Sequence, residues 1–347
     1  MKKFISFLLV AVMAISLIGC NGGATTSVPT TEPGTADGTA TNVPGTAAAE
    51  SMNLKVFAMK GPTGMGVAKL IADSKTGATF HKYEITLAEN VQERLADLIG
   101  GKFDIAAVPT NFAASVLNNK ASGMYKVVAV NALGVLYMLD TDGSIKSVDD
   151  LRGKTIYATG AGTVPQFVLE YVLTKAGLKI GEDVNVEYLA TAADVGAMLD
   201  AGSATVAMLP QPYVTTLLNK NQNINVALDL TEEWDKLAGG ESRLMTGCVV
   251  VKSELIKNNP AEVAKFIEEF KSSVEFVNNG TDEAAQSVVD AGIVGALPVA
   301  KKAIPKCNIV CLTGEEMIND LKGFFAALYS INPQSVGGKI PGDELFN

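Results

Sequence analysis

Two glycine-rich stretches hold the residues best placed for chemistry: MKGPTGMGVAKL, Met59 to Leu70, and ATGAGTVPQ, Ala158 to Gln166. Each follows a short apolar run and precedes a segment that reads as a helix. Gly61 and Gly66 have the spacing of a phosphate loop, yet Val67 and Ala68 stand where that loop needs Lys and then Ser or Thr. The second stretch lacks the third glycine of a dinucleotide fingerprint. What both keep is glycine at a helix start, where a ligand can come close to free backbone N–H groups. Thr63 and Thr163 add hydroxyls beside those amides. Thr163, two residues before Pro165, also fits a helix cap, and one hydroxyl can serve both roles.

Other reactive groupings are sparse. The only histidine, His81, precedes the strand-like YEITL and is expected at the surface, with no Ser or Cys nucleophile beside it. The glycine loops carry no pair of carboxylates for acid and base work. Apart from Cys20, the cysteines are Cys248, Cys307 and Cys311, an odd count that suggests no disulfide framework. Cys307 and Cys311 sit on a strand-like NIVCL, which would hold their sulfurs more than about 10 Å apart. Neither a metal nor a cofactor is therefore expected. The formal charge of −9, with no basic cluster beyond Lys2 and Lys3, argues against nucleic acid as a partner. Binding without catalysis is the remaining expectation: not an enzyme.

The elements that would position these loops recur. LKVFAMKGPTGMGVAKLIADS followed by YEITLAENVQERLADLIGGKFDIAAVPTNFAASVLNNK is matched about a hundred residues later by KTIYATGAGTVPQFVLEYVLTKAG and VNVEYLATAADVGAMLDAGSATVAMLPQPYVTTLLNK. Gly101, Ala106, Pro109, Leu117 and Asn118 correspond at one constant offset to Gly202, Ala207, Pro210, Leu218 and Asn219, and Phe112 to Tyr213. Continuous apolar strands alternating with helices indicate βαβ units and mainly parallel sheets covered on both faces. The fold class is α/β with two lobes. YKVVAVNALGVLYMLD, interrupted by Gly134, reads as the crossing to the second lobe, and Ser242 to Ile256 as the return. A helical tail follows. Asn259 and Pro260 mark one helix start, and Thr313 with Glu316 has capping-box spacing. The boundaries are 53–133 with 242–347 for a discontinuous first lobe and 134–241 for the second.

Ligands of open α/β sheets bind outside the carboxyl ends of the strands. That rule selects four loops: Lys60 to Gly66, Val108 to Asn111, Thr159 to Val164, and Leu209 to Pro212. The candidate binding residues are Gly61, Pro62, Thr63 and Gly64; Pro109, Thr110 and Asn111; Gly160, Gly162 and Thr163; Gln211 and Pro212; and Thr246 beside the return strand. Asn111 and Gln211 read equally as polar residues at helix starts, and Arg243 as a surface charge. Lys60 is the one cation on the loops, so an organic molecule with one polar end fits better than a small anion.

The N-terminus adds a location. MKKFISFLLVAVMAISLIGC has two lysines and an apolar run from Phe4 to Ile18, short for a span and suited to a signal peptide. Its LIGC ending places Cys20 where a lipobox is cut and lipidated. Residues 21–52 are Thr, Gly and Pro-rich, without Lys, Arg or aromatics through Ser51, and are expected to form a flexible tether.

Taken together, the lipobox, the tether, strand-GPTG-helix, FDIAAVP, SVDDLRGKTIYATGAGT and the closing SVGGKIPGDELF resemble bacterial solute-binding lipoproteins of ABC importers. The nearest branch binds sulfonates, nitrate, taurine and pyrimidine precursors of thiamine. The resemblance covers Asn53 to Phe346 and implies a type 2 periplasmic-binding-protein fold with a hinge between lobes. It also implies a monomer, lipid-anchored on the outer face of the cell membrane, that delivers a small-molecule ligand to permease subunits. Its binding loops fall on Gly61 to Gly64, Pro109 to Asn111, Gly160 to Thr163, and Gln211 with Pro212. A surface sensor or adhesin on the same fold is the alternative. A pyrimidine-synthase-like enzyme would need histidines and a cysteine cluster that this chain lacks. Cys20→Ser is expected to release the protein from membranes, checked by fractionating cells; retention in the membrane pellet would refute lipidation at Cys20.

Overall fold

The apolar runs become strands buried on both faces. In the computed structural model, which describes residues 49–346, eleven strands form two sheets flanked by helices. They are β1 (Asn53–Met59), β2 (Lys82–Ala88), β3 (Ile105–Pro109), β4 (Tyr125–Leu133), β5 (Leu136–Asp140), β6 (Thr155–Ala158), β7 (Asn185–Tyr188), β8 (Val206–Pro210), β9 (Asn225–Asp229), β10 (Met245–Lys252) and β11 (Ile309–Leu312). Segment 1–20 with Cys20, and all but the last four residues of 21–52, lie outside the described residues.

The first sheet has the order β11-β4-β10-β3-β1-β2 and the second β7-β6-β8-β5-β9. The duplication is visible in the pairing. β1 lies parallel between β2 and β3, as β6 lies parallel between β7 and β8. Beyond β3 comes antiparallel β10 and beyond β8 comes antiparallel β5. The two-lobed α/β architecture therefore stands, but each sheet is mixed rather than mainly parallel. The reason is topological: β5 and β10 each enter a sheet directly from the other one, and both join it antiparallel.

Two connections link the sheets. β4 passes into β5 across Gly134, and the helix Leu230–Ala238 leads from β9 back to β10. They pass so closely that a Cβ at Gly134 would overlap the Thr231 hydroxyl and come within 2.9 Å of Leu244. The Thr246 hydroxyl donates to the Leu133 carbonyl at 2.6 Å, and the Asn308 amide donates to the Gly134 carbonyl at 2.6 Å. Behind this crossing, Trp234 is fully buried, stacked 3.9 Å from the Tyr171 ring and 5.4 Å from Phe324, with its indole N–H on the Ser242 carbonyl. Three helices meet there: Leu230–Ala238, Val164–Lys175 and Gly314–Ile331. One apolar core thus runs continuously from the first sheet to the second.

Two local expectations change. His81 is buried, not exposed: its Nδ1 accepts from the Met52 N–H at 3.1 Å and its Nε2 lies 2.9 Å from the Glu262 carbonyl. The ring is spent on fastening the start of β1 to the helix Pro260–Val277. Thr313 does precede the helix Gly314–Ile331 but makes no capping box, because Glu316 turns instead toward Arg243. Arg243 is held at the surface by Asp320 at 2.7 Å and Glu316 at 3.5 Å.

Trp234→Ala removes the residue on which three helices converge. The expected loss is about 3–5 kcal/mol of unfolding free energy, read by urea denaturation followed by circular dichroism. A change within about 1 kcal/mol would show that the contact contributes little.

Candidate functional site

The carboxyl ends of the central strands of both sheets open onto one cleft of about 660 Å³. The loop after β1 contributes Gly61, Pro62 and Thr63, and the end of β3 contributes Pro109. From the second sheet come Gly160 and Thr163 after β6, and Gln211 and Pro212 after β8. Thr246 faces the same space from the start of β10. These are nine of the residues selected from the sequence, brought together from four loops and one strand.

Four selected residues are not in the wall. Gly64 packs against the Met59 carbonyl, behind the loop. Thr110 is fully buried and donates its hydroxyl to the Met245 carbonyl at 2.8 Å. Asn111 is 5% exposed and its amide lies 3.5 Å from the Gly162 carbonyl, so it spans the two halves of the fold beside the cleft. Gly162 itself is exposed outside the wall. The one-turn pieces after β1 and β3 leave no room for every loop residue to face inward.

Other wall residues were missed. Glu89 to Gln92 after β2, and Ala190 to Ala192 after β7, obey the same strand-end rule, which applied to the middle unit of each repeat would have found them. Val135 and Leu136 come from the crossing. Ile293, Val294 and Gly295 come from the tail, where no sequence signal pointed to the cleft.

Two kinds of interaction shape the wall. Among its residues only Lys60 and Glu89 are charged, and they pair with each other at 2.8 Å. The second glycine loop is closed on itself. Gly160 has φ +84°, and a Cβ there would come within 2.8 Å of Pro165. Its carbonyl accepts from the Thr163 amide at 3.0 Å and the Thr163 hydroxyl at 2.7 Å. The Gly162 N–H donates to Gln166 Oε1 at 2.8 Å. Gln166 Nε2 then donates to Glu170 at 2.6 Å, whose other oxygen accepts from Asn332 at 3.2 Å. Two amides of this loop, those of Gly162 and Thr163, are therefore engaged within the protein. Burial raises the phenol pKa of Tyr213 in the wall, and Asp200 and Asp194 raise it further.

Metal-binding chemistry has little to work with. The described residues hold no cluster of three or more His, Cys, Asp or Glu able to grip a metal ion. Cys248 and Cys307 are buried, which pushes their thiols well above the usual range, and burial pushes Cys311 up to about 11.

This geometry has known counterparts. Residues 123–284 match the family model described as NMT1/THI5 like. An ABC transporter structure from Parabacteroides distasonis aligns with a TM-score of 0.70 and 23% identity, covering 85% of this chain and 98% of that one. The periplasmic aliphatic sulphonate binding protein SsuA from Escherichia coli aligns at 0.67 and 17%, covering 83% and 89%. The fold is that of the type 2 periplasmic binding proteins. The fold implied by the resemblance read from the sequence is thus borne out by solved structures, and residues 123–284 match a family model of the same branch. The desulfurization enzyme DSZB also has this fold, with a TM-score of 0.58 and 11% identity over 84% of this chain and 96% of that one. Fold alone therefore does not separate binder from enzyme. No curated protein sequence matches the chain.

Glu170 touches neither the wall nor the Gly162 peptide, yet supports both through Gln166. Glu170→Ala is expected to speed amide exchange at Gly162 and Thr163 about tenfold while the rest of the helix Val164–Lys175 stays protected. Unchanged exchange at the two amides would show that the loop holds itself.

Proposed function

We propose that the chain is an extracytoplasmic solute-binding lipoprotein of an ABC importer. It captures a small organic solute between its two lobes and delivers it to permease subunits. The observation that carries this reading is the cleft of about 660 Å³ shared by two duplicated sheets, with wall residues from the strand ends of both. The structural neighbours include an ABC transporter component and a sulphonate-binding protein, which support the same role.

The first lobe takes residues 53–133 and 242–347 and the second 134–241, so the β4–β5 crossing and the return into β10 serve as the hinge. Lipid on Cys20 and the tether over 21–52 keep the body near the membrane as a monomer. Among the described residues no helix is long and apolar enough to cross a membrane. Gly61, Pro62, Thr63, Pro109, Gly160, Thr163, Gln211, Pro212 and Thr246 contact the solute, while Asn111 and Gly162 meet across the edge of the closed cleft. Catalysis has no support in the wall, where the single carboxylate, Glu89, is paired with Lys60.

The test is thermal unfolding of the full chain carrying Cys20→Ser against fractions of a small-molecule cell extract. One solute at a hundredfold excess over its Kd is expected to stabilise by about 2.7 kcal/mol and to shrink the radius of gyration. If no fraction raises the melting temperature, the receptor reading fails.

A further inference from the structure

Gln211 is the wall residue whose hydrogen bonding is least complete. It follows β8 and stands two residues before the helix Tyr213–Lys220. Its backbone N–H is spent on the Val135 carbonyl at 2.9 Å. Its side-chain oxygen accepts twice from one residue, from the Thr215 N–H at 3.2 Å and from the Thr215 hydroxyl at 2.8 Å. A backbone N–H can only donate, so the atom facing Thr215 is Oε1 and the amide cannot be turned over. Nε2 is thereby fixed in direction, sealed from bulk water and without a partner.

Capping the helix does not account for that nitrogen. The Thr215 amide is one of the orphan donors of the helix start, and an oxygen alone would satisfy it. Glutamine brings an NH2 group besides, in a residue that is 1% exposed. Other wall residues with unpartnered backbone N–H groups, among them Gly61, Gly160, Ala192 and Tyr213, are partly exposed. Among the described residues of the wall, Gln211 Nε2 is the one buried side-chain atom that lacks a partner. A buried donor left unanswered is costly, and an acceptor on a bound molecule recovers that cost.

We propose that Gln211 determines the specificity of the cleft, with Thr215 as its positioning residue. Its Nε2 donates to a hydrogen-bond acceptor on the solute, a carbonyl-type oxygen or a ring nitrogen, at the end that lies against the second sheet. This rests on the solute-binding reading and names the chemical group by which that site selects its ligand. A solute of the same shape with a methyl group at that place leaves the donor unanswered, and one with an amino group sets donor against donor. Both are refused.

The test uses the full chain carrying Cys20→Ser, with a dilution series of small-molecule cell extract as the probe. Native mass spectrometry reads the fraction of chain occupied and the mass it holds. Gln211→Glu keeps the oxygen that Thr215 needs and turns the donor into an acceptor. The extract concentration for half occupancy is expected to rise at least about tenfold. Thr215→Val removes the hydroxyl that fixes the amide and is expected to weaken capture about threefold or more, with Thr215→Ser restoring it. Should melting curves show Gln211→Glu unfolded, Gln211→Met takes its place with the same expectation. Capture by the Gln211 variant within about twofold of the parent chain would overturn the proposal while leaving the receptor function intact. So would a captured molecule without an acceptor atom. Undiminished capture by Thr215→Val would remove Thr215 from its positioning role. No capture by the parent chain defeats the receptor function and this assignment with it.

Discussion

The structure depends on two chain crossings being held side by side. β4 continues into β5 at Gly134, and the return path enters β10 at Met245, with the Thr246 hydroxyl bonded to the Leu133 carbonyl between them. Only a residue without a Cβ fits where Gly134 meets Thr231 and Leu244. The sheets are joined by two connections that both pass through this one narrow place. Their strand ends consequently face one another, and every loop that follows a central parallel strand reaches the same space. Trp234, stacked on Tyr171 and close to Phe324, packs in the apolar core behind the crossing.

That arrangement explains how a chain with so little reactive chemistry builds a site. Neither half could enclose a small molecule alone, since each presents only a few short loops at one sheet edge. Facing halves double the wall. The Asn111 amide near the Gly162 carbonyl, Asn332 on Glu170, Lys302 on Asn219 and the Tyr137 hydroxyl on the Lys306 carbonyl all join the halves. Beside these polar contacts, the apolar core at Trp234 joins the halves continuously.

Much of this was legible in the sequence, for physical reasons that differ by residue. Runs such as IAAVP and VAMLP are apolar throughout because the strands are covered on both faces, and the constant offset between the repeats put Pro109 and Pro210 at equivalent strand ends. The break at Gly134 could be seen because one strand cannot belong to two sheets. Sheet direction was less visible, since an apolar strand reads alike whether it runs parallel or antiparallel, and β5 and β10 reverse their neighbours. His81 misled because its burial is set by Met52 and Glu262, far from it in sequence or hidden in backbone atoms. Ile293 to Gly295 reach the cleft from the tail through tertiary packing that no local pattern encodes.

The glycine loops show most clearly where composition and geometry part. From sequence alone, ATGAGTVP offers the same device as a phosphate loop, free amides at a helix start reached across residues without side chains. In the folded chain the loop curls so tightly that the Gly160 carbonyl takes both the amide and the hydroxyl of Thr163, and Gln166 takes the Gly162 N–H. Glycine at position 160 is required by its positive φ and by the nearness of Pro165. A phosphate loop keeps its amides unpaired because an anion will complete them. This loop spends the amides of Gly162 and Thr163 on itself, and it lends the cleft Thr163, the ring of Pro165 and no charge. The likeness between the two motifs lies in how the chain turns, and the difference lies in the two amides that this loop spends on itself.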